Sequence, residues 1–144
     1  MASLSAEYCW EPVHHRYLVA LRDSRTPDTP VPDLTNEAEA DRWIRSAPEA
    51  FCHTTDEGIL CQVLNNYDLE TPDFYRWTVE YTQDELADLI RRKSGIDFGA
   101  ILNLQAVERG RSGRIVRLRI VGSRRTYIIG KELEIRRTLS ETHL

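Results

Sequence analysis

Arg114-Ile115-Val116-Arg117-Leu118-Arg119-Ile120-Val121 alternates with period two, so Val116, Leu118 and Ile120 fall on one face of a strand and Arg117 and Arg119 on the other. One face suits a core, and the opposite face carries guanidinium groups to solvent. Outward from this stretch, Gly110, Gly113, Gly122 and Gly130 divide the region after Gly99 into three short runs: Ala100 to Val107, Arg114 to Val121, and Thr126 to Ile129. Such runs separated by glycine-bearing turns read as hairpins. Upstream, Thr82-Gln83-Asp84-Glu85 has the spacing of a capping box, Leu86, Leu89 and Ile90 form an apolar stripe behind it, and Gly95 supplies a left-handed stop. Downstream, Lys131 to Leu139 reads as a short helix with Leu133 and Leu139 inward. These patterns predict an α+β fold, an antiparallel β-sheet built from hairpins with short helices packed on one face.

The first half of the chain is read by the same rules. Tyr17, Val19 and Leu21 alternate with Leu18 and Ala20 in a short apolar run, so Val13 to Asp23 is expected to be a buried strand. Pro27, Pro30 and Pro32 lack amide donors and make residues 24–34 a loop. Thr35 or Asn36 can cap a helix through Ala47, with Glu37 and Glu39 in its first turn, Trp43 and Ile44 on its buried side, and Pro48 ending it. Thr55-Asp56-Glu57, followed by Ile59, Leu60, Val63 and Leu64, predicts a second short helix within Phe51 to Tyr67. From Asp73 to Thr82 the period returns to two, with Tyr75, Trp77, Val79 and Tyr81 on one face, which predicts a strand.

At 144 residues the chain has the length of one domain, and residues 1–144 are read as a single one. No window approaches the roughly 18 consecutive apolar residues of a spanning helix, and Met1-Ala2-Ser3-Leu4-Ser5-Ala6-Glu7 has neither the basic start nor the apolar stretch of a signal peptide. The net charge of −4 conceals a division. Residues 1–90 hold 18 acidic and 6 basic side chains, a balance of −12, whereas residues 91–144 hold 5 acidic and 13 basic, a balance of +8. A basic C-terminal part points to an anionic partner or to neutralisation within the molecule.

Metal ligands come first among the chemical candidates. Cys9, His14, His15, Cys52, His53 and Cys61 are suitable residue types, but eight residues separate Cys52 from Cys61 and no second close pair follows. A metal site is not expected; a Cys52–Cys61 disulfide ranks above it, and inert buried thiols above both. Cys52-His53 is a poor nucleophile and base pair, because adjacent residues on a strand point to opposite faces. Paired carboxylates for glycosidic chemistry cannot be singled out, since Glu80, Glu85, Glu132 and Glu134 each have a bland role as surface or cap. No nucleotide loop, serine elbow or dinucleotide fingerprint occurs, and no cofactor is expected. The most distinctive segment is Arg109-Gly110-Arg111-Ser112-Gly113-Arg114, where two glycines allow a tight turn with left-handed residues and three arginines with Ser112 offer donors around it.

These segments, taken in order, resemble a known family. Trp77-Thr78-Val79-Glu80-Tyr81-Thr82 leading into Glu85-Leu86, Ile101 through Val107 with Arg109-Gly110-Arg111-Ser112-Gly113-Arg114-Ile115, Leu118-Arg119-Ile120-Val121-Gly122, and Gly130-Lys131-Glu132-Leu133 with Arg136-Arg137-Thr138-Leu139 look like the C-terminal half of the stage II sporulation protein D family, also called amidase enhancer. Tyr8-Cys9-Trp10-Glu11-Pro12-Val13 with Tyr17-Leu18 and Arg22-Asp23 resembles that family's segment after its central Ser-x-Gly-Gly turn. The resemblance implies an extracytoplasmic (periplasmic or cell-surface) protein acting on peptidoglycan, either as a lytic transglycosylase or as the enhancer of a partner amidase. A transglycosylase needs one carboxyl group to protonate the glycosidic oxygen. The family carries it in a Ser-Glu-Met motif that this sequence lacks, along with the Ser-x-Gly-Gly turn, the upstream Cys and His residues and the terminal strand. The chain is therefore expected to be a fragment, the non-catalytic portion of a peptidoglycan-active domain, with no lytic activity of its own.

On this reading Trp10 stacks on a sugar face, and Ser112, Arg114 and Arg136 donate to hydroxyl, lactyl or acetamido oxygens of a peptidoglycan glycan strand. Trp10 as a core anchor and Arg136 as the cover of a helix end are the structural alternatives. A second reading is a protein-interaction module enhancing a cell-wall amidase. A third, nucleic-acid binding by the basic hairpins Arg109 to Arg125, is disfavoured because Tyr127 is the only aromatic nearby for base stacking.

Overall fold

The computed structural model describes residues 30, 32–48, 50, 53–63 and 75–142. In chain order its elements are α1 (Glu37–Ser46), α2 (Glu57–Val63), α3 (Gln83–Ser94), β1 (Ile101–Arg109), β2 (Ile115–Gly122), β3 (Thr126–Gly130) and α4 (Glu132–Leu139). The fold is α+β, a three-stranded antiparallel sheet with four helices among the described residues. Two compact units are distinguished: one runs from Tyr81 onward and takes in the described residues up to Ala40, and the other is Asp41–Glu80.

The first unit follows from the alternation on β2. Leu118 and Ile120 are 3% and 0% exposed, while Arg117 and Arg119 are exposed. β2 lies between its two neighbours, and Leu104–Ile120–Tyr127 and Ala106–Leu118–Ile129 form cross-strand rows on the covered face. Gln105–Arg119–Ile128 is a row of the opposite face. Helices α3 and α4 pack on each other, α4 packs on β2 and β3, and α3 on β1, closing a core of Ile90, Phe98, Ile101, Leu118, Ile120 and Ile135.

The helix ends behave as their residues dictate. Thr82 N–H donates to Glu85 Oε2 at 2.8 Å, the Glu85 amide returns to Thr82 Oγ1, and Gly95 closes α3 at φ 71° with its amide on the Arg91 carbonyl. The last helix keeps Leu139 against the core as expected, and its buried line is not the expected one in full. Glu132, Ile135 and Thr138 are buried, and Leu133 is only partly buried and is not among the residues packed against the core.

The second unit corrects three expectations. Residues 75–82 form no helix and join no strand of the sheet. Tyr75 is held by its hydroxyl on the Pro48 carbonyl and by the His53 ring stacked at 4.3 Å, and Arg76 is held by its guanidinium on the Ile44 and Trp43 carbonyls at the C-terminus of α1. Trp77 and Val79 are 67% and 60% exposed, so the period-two pattern does not separate core from solvent, and alternation without a partner ladder makes no strand. Ile44 of α1 is 48% exposed, and the buried residue of that helix is Ala40. Asn36 caps α1 through its side-chain oxygen on the amides of Ala38 and Glu39, and Ala47 ends it at φ 41°. Asp56 caps α2 in the same way, and Cys61 on that helix is a free thiol, exposed and not buried as expected, while Cys52 lies outside the described residues. The expected strand Val13 to Asp23 and most of the loop 24–34 lie outside the described residues.

Candidate functional site

The Arg109–Arg114 turn is built from the backbone upward. Gly110 N–H donates to the Arg114 carbonyl and Gly113 N–H to the Gly110 carbonyl, both at 2.9 Å. Gly113 alone of the two glycines is left-handed, at φ 83°, and a Cβ there would stand 3.2 Å from Cβ of Leu34, which is 2% exposed beneath the turn.

Arg109 has a different task from the one its position suggested. Its side chain is only 11% exposed, and Nε and Nη2 form a fork on the Glu37 carboxylate at 2.5 and 2.8 Å. Nη1 donates to the Gly113 carbonyl at 2.7 Å. Arg109 therefore ties the turn to the start of α1 and does not display a donor to a ligand. Beside it, Asp33 accepts from the Thr35 hydroxyl and amide, and these bonds, with Arg111 at longer range, hold its carboxyl below the ordinary range. What the turn presents is Arg111 and Arg114, both exposed, and Ser112, half-buried.

Ser112 and Arg114 thus share one turn. Arg136 belongs to α4, where its guanidinium is bonded to Glu132 Oε1, and Trp10 lies outside the described residues. The four glutamates that sequence could not separate are now distinct: Glu80 and Glu134 are exposed, Glu85 completes the capping box, and Glu132 is 8% exposed. Its Oε2 has no hydrogen-bond partner among the described residues. Nothing in the sequence marks Glu132, since burial at this helix start follows from how α4 lies on the sheet.

One open depression of about 450 Å³ is lined by Asp84, Asp88, Arg91, Asp97 and Arg124 with Ala87, Gly99 and Ala100. Its charges answer one another. Asp88 accepts from Arg91 at 2.6 Å and Arg92 at 2.7 Å, and Asp97 accepts from the Gly99 amide at 2.8 Å and from Arg124. These bonds, Arg91 first for Asp88 and Gly99 first for Asp97, lower both carboxyls from their ordinary values. Among the described residues no three of His, Cys, Asp and Glu gather as metal ligands, and no helix is long and apolar enough to cross a membrane. Cys9, His14, His15 and Cys52 lie outside the described residues, and His53 stacks on Tyr75.

No curated protein and no solved structure matches the chain. The family described as a domain of unknown function, DUF8618, matches residues 4–144, and the chain belongs to that family.

Proposed function

We propose that the chain is the non-catalytic portion of a peptidoglycan-active domain, that it contributes part of a glycan-binding surface, and that the full-length protein works outside the cytoplasm. The order of its segments resembles the stage II sporulation protein D family. The observation that carries the reading is the turn at Gly110–Arg114, which presents Arg114 and Ser112 on a loop held by the Arg109 clamp. A held donor loses less freedom on meeting a sugar hydroxyl than one on a loose loop. The test is binding of the chain to purified stem-free glycan strands. Binding that weakens about fivefold or more in Arg114→Ala is the expected result, about 1 kcal/mol for a hydrogen-bonding partner. Equal binding by Arg114→Ala, or none by the native chain, would overturn it. The chain lacks the Ser-Glu-Met acid, so it is expected to release no anhydro-disaccharides from the same strands.

The second reading, a module that enhances a cell-wall amidase, draws support from Trp77 and Val79. Both are large apolar side chains exposed on a segment outside helix and sheet, as at surfaces that dock against other proteins. A rise in amidase rate on adding the chain, lost in Trp77→Ala, is its expected signature. An unchanged rate would remove it.

A further inference from the structure

The two faces of the sheet are unequally used. Helices α3 and α4 cover the face that holds Leu118 and Ile120, and the opposite face carries the rows Asn103–Val121–Thr126, Gln105–Arg119–Ile128 and Glu108–Arg117–Gly130. On it Asn103, Glu108, Arg117, Arg119 and Thr126 are exposed. We propose that this face, which no described helix covers and which is centred on Arg117 and Arg119, binds an extended acidic polypeptide.

Charge is the first argument. Residues 110–131 contain seven basic side chains and no acidic one, so β2, β3 and the turns beside β2 carry positive charge alone, and the acidic side chain in the rows of this face is Glu108 of β1, beside Arg117. The hydrogen bond of Arg119 runs to a neutral amide, Gln105 Oε1 at 3.2 Å, and Arg117 meets Glu108 only at 3.7 Å, with both side chains more than half exposed. Neither contact consumes the guanidinium fork, which has five N–H donors and binds carboxylates bidentately.

Spacing is the second. Arg117 and Arg119 are two residues apart on one strand, about 6.6–6.8 Å at the usual rise, and alternate side chains of any extended peptide repeat at that distance. Carboxylates on every second residue of a partner would meet the two forks in register, while the amides of Asn103 and Gln105 border the same path. Chemistry also sorts the polyanions. Tyr127 pairs with Ile120 and so stands on the covered face, leaving the open rows without a ring for bases to stack on. This surface is separate from the proposed glycan site by position, since that site is the Gly110–Arg114 turn and Arg117 and Arg119 stand within β2.

The experiment uses the whole chain and a labelled peptide alternating Glu and Thr, followed by fluorescence anisotropy at low and at physiological salt. Saturable binding that weakens with salt is expected. Arg117→Gln with Arg119→Gln should lose about tenfold, from two exposed charge pairs of up to about 1 kcal/mol each. The pair Arg117→Lys and Arg119→Lys keeps the charge but not the fork, and should fall between. Arg124→Gln with Arg125→Gln at the next turn should change affinity less than twofold, and unchanged circular dichroism shows that the variants fold. No binding, an equal loss in the Arg124 and Arg125 variant, or tighter binding of a single-stranded oligonucleotide would each overturn the proposal.

Discussion

Arg136 holds Glu132, a carboxylate only 8% exposed, while Arg114 stands exposed at the end of a hairpin. The two variants separate what sequence alone treated as equivalent donors. Arg136→Ala leaves a nearly buried carboxylate without its cation and is expected to cost about 2 kcal/mol, read from urea unfolding. Arg114→Ala should stay within about 0.5 kcal/mol, as exposed positions usually do. Equal losses would show that Arg114 is also a structural residue. Gly113 is a third case. Gly113→Ala puts a Cβ at φ 83° and 3.2 Å from Leu34, and should cost about 1–2 kcal/mol, whereas Gly95→Ala meets a similar φ of 71° in open space and should cost about 1 kcal/mol. The second glycine of the turn, Gly110, does not need its freedom, and only the built backbone tells the two apart.

Among the elements, α3 was the most legible, because cap, stripe and stop all lie within fourteen residues of local sequence, Thr82 to Gly95, and each works through its neighbours. Thr82→Ala removes the reciprocal cap and should lower stability by about 1 kcal/mol. The carboxyls that serve this helix also predict a pH dependence. The Thr82 amide and hydroxyl hold Glu85 below its ordinary range, Arg91 and Arg92 do the same for Asp88, the Gly99 amide for Asp97, and Arg92 for Glu141. A lowered folded value means that the unfolded chain takes up protons first as pH falls. The stabilisation is thus complete above about pH 5 and is lost progressively below about pH 4. Urea midpoints at pH 6, 4 and 3 check it, and a midpoint unchanged across that series would refute it. The segment 75–82 shows the opposite. Its alternation was as regular as that of β2, yet Arg76 caps α1 and Trp77 faces solvent, because a strand exists only where another backbone accepts its hydrogen bonds.

At the scale of the molecule, the described core is small and gathered between the sheet and helices α3 and α4, so single truncations there should be severe. Ile120→Ala, at 0% exposure, is expected to cost about 2–5 kcal/mol, and Ile59→Ala, at 48%, less than about 1 kcal/mol, both by denaturant titration. The charge division seen along the chain is answered in part by Glu37 on Arg109, a pair 72 residues apart. What the sequence by itself determined is the α+β class, the three strands, the turns between them, and helices α3 and α4 with the α3 caps. Strand alternation, helix caps and left-handed glycines act over a few residues and so can be read locally. What only the tertiary structure decided is that Glu132 and Thr138 are buried on α4, that Arg109 is a clamp, and that Trp77 is exposed and belongs to no strand. Each of these depends on contacts between residues distant in the chain, and the amino acid at a position carries no record of which distant neighbour it will meet.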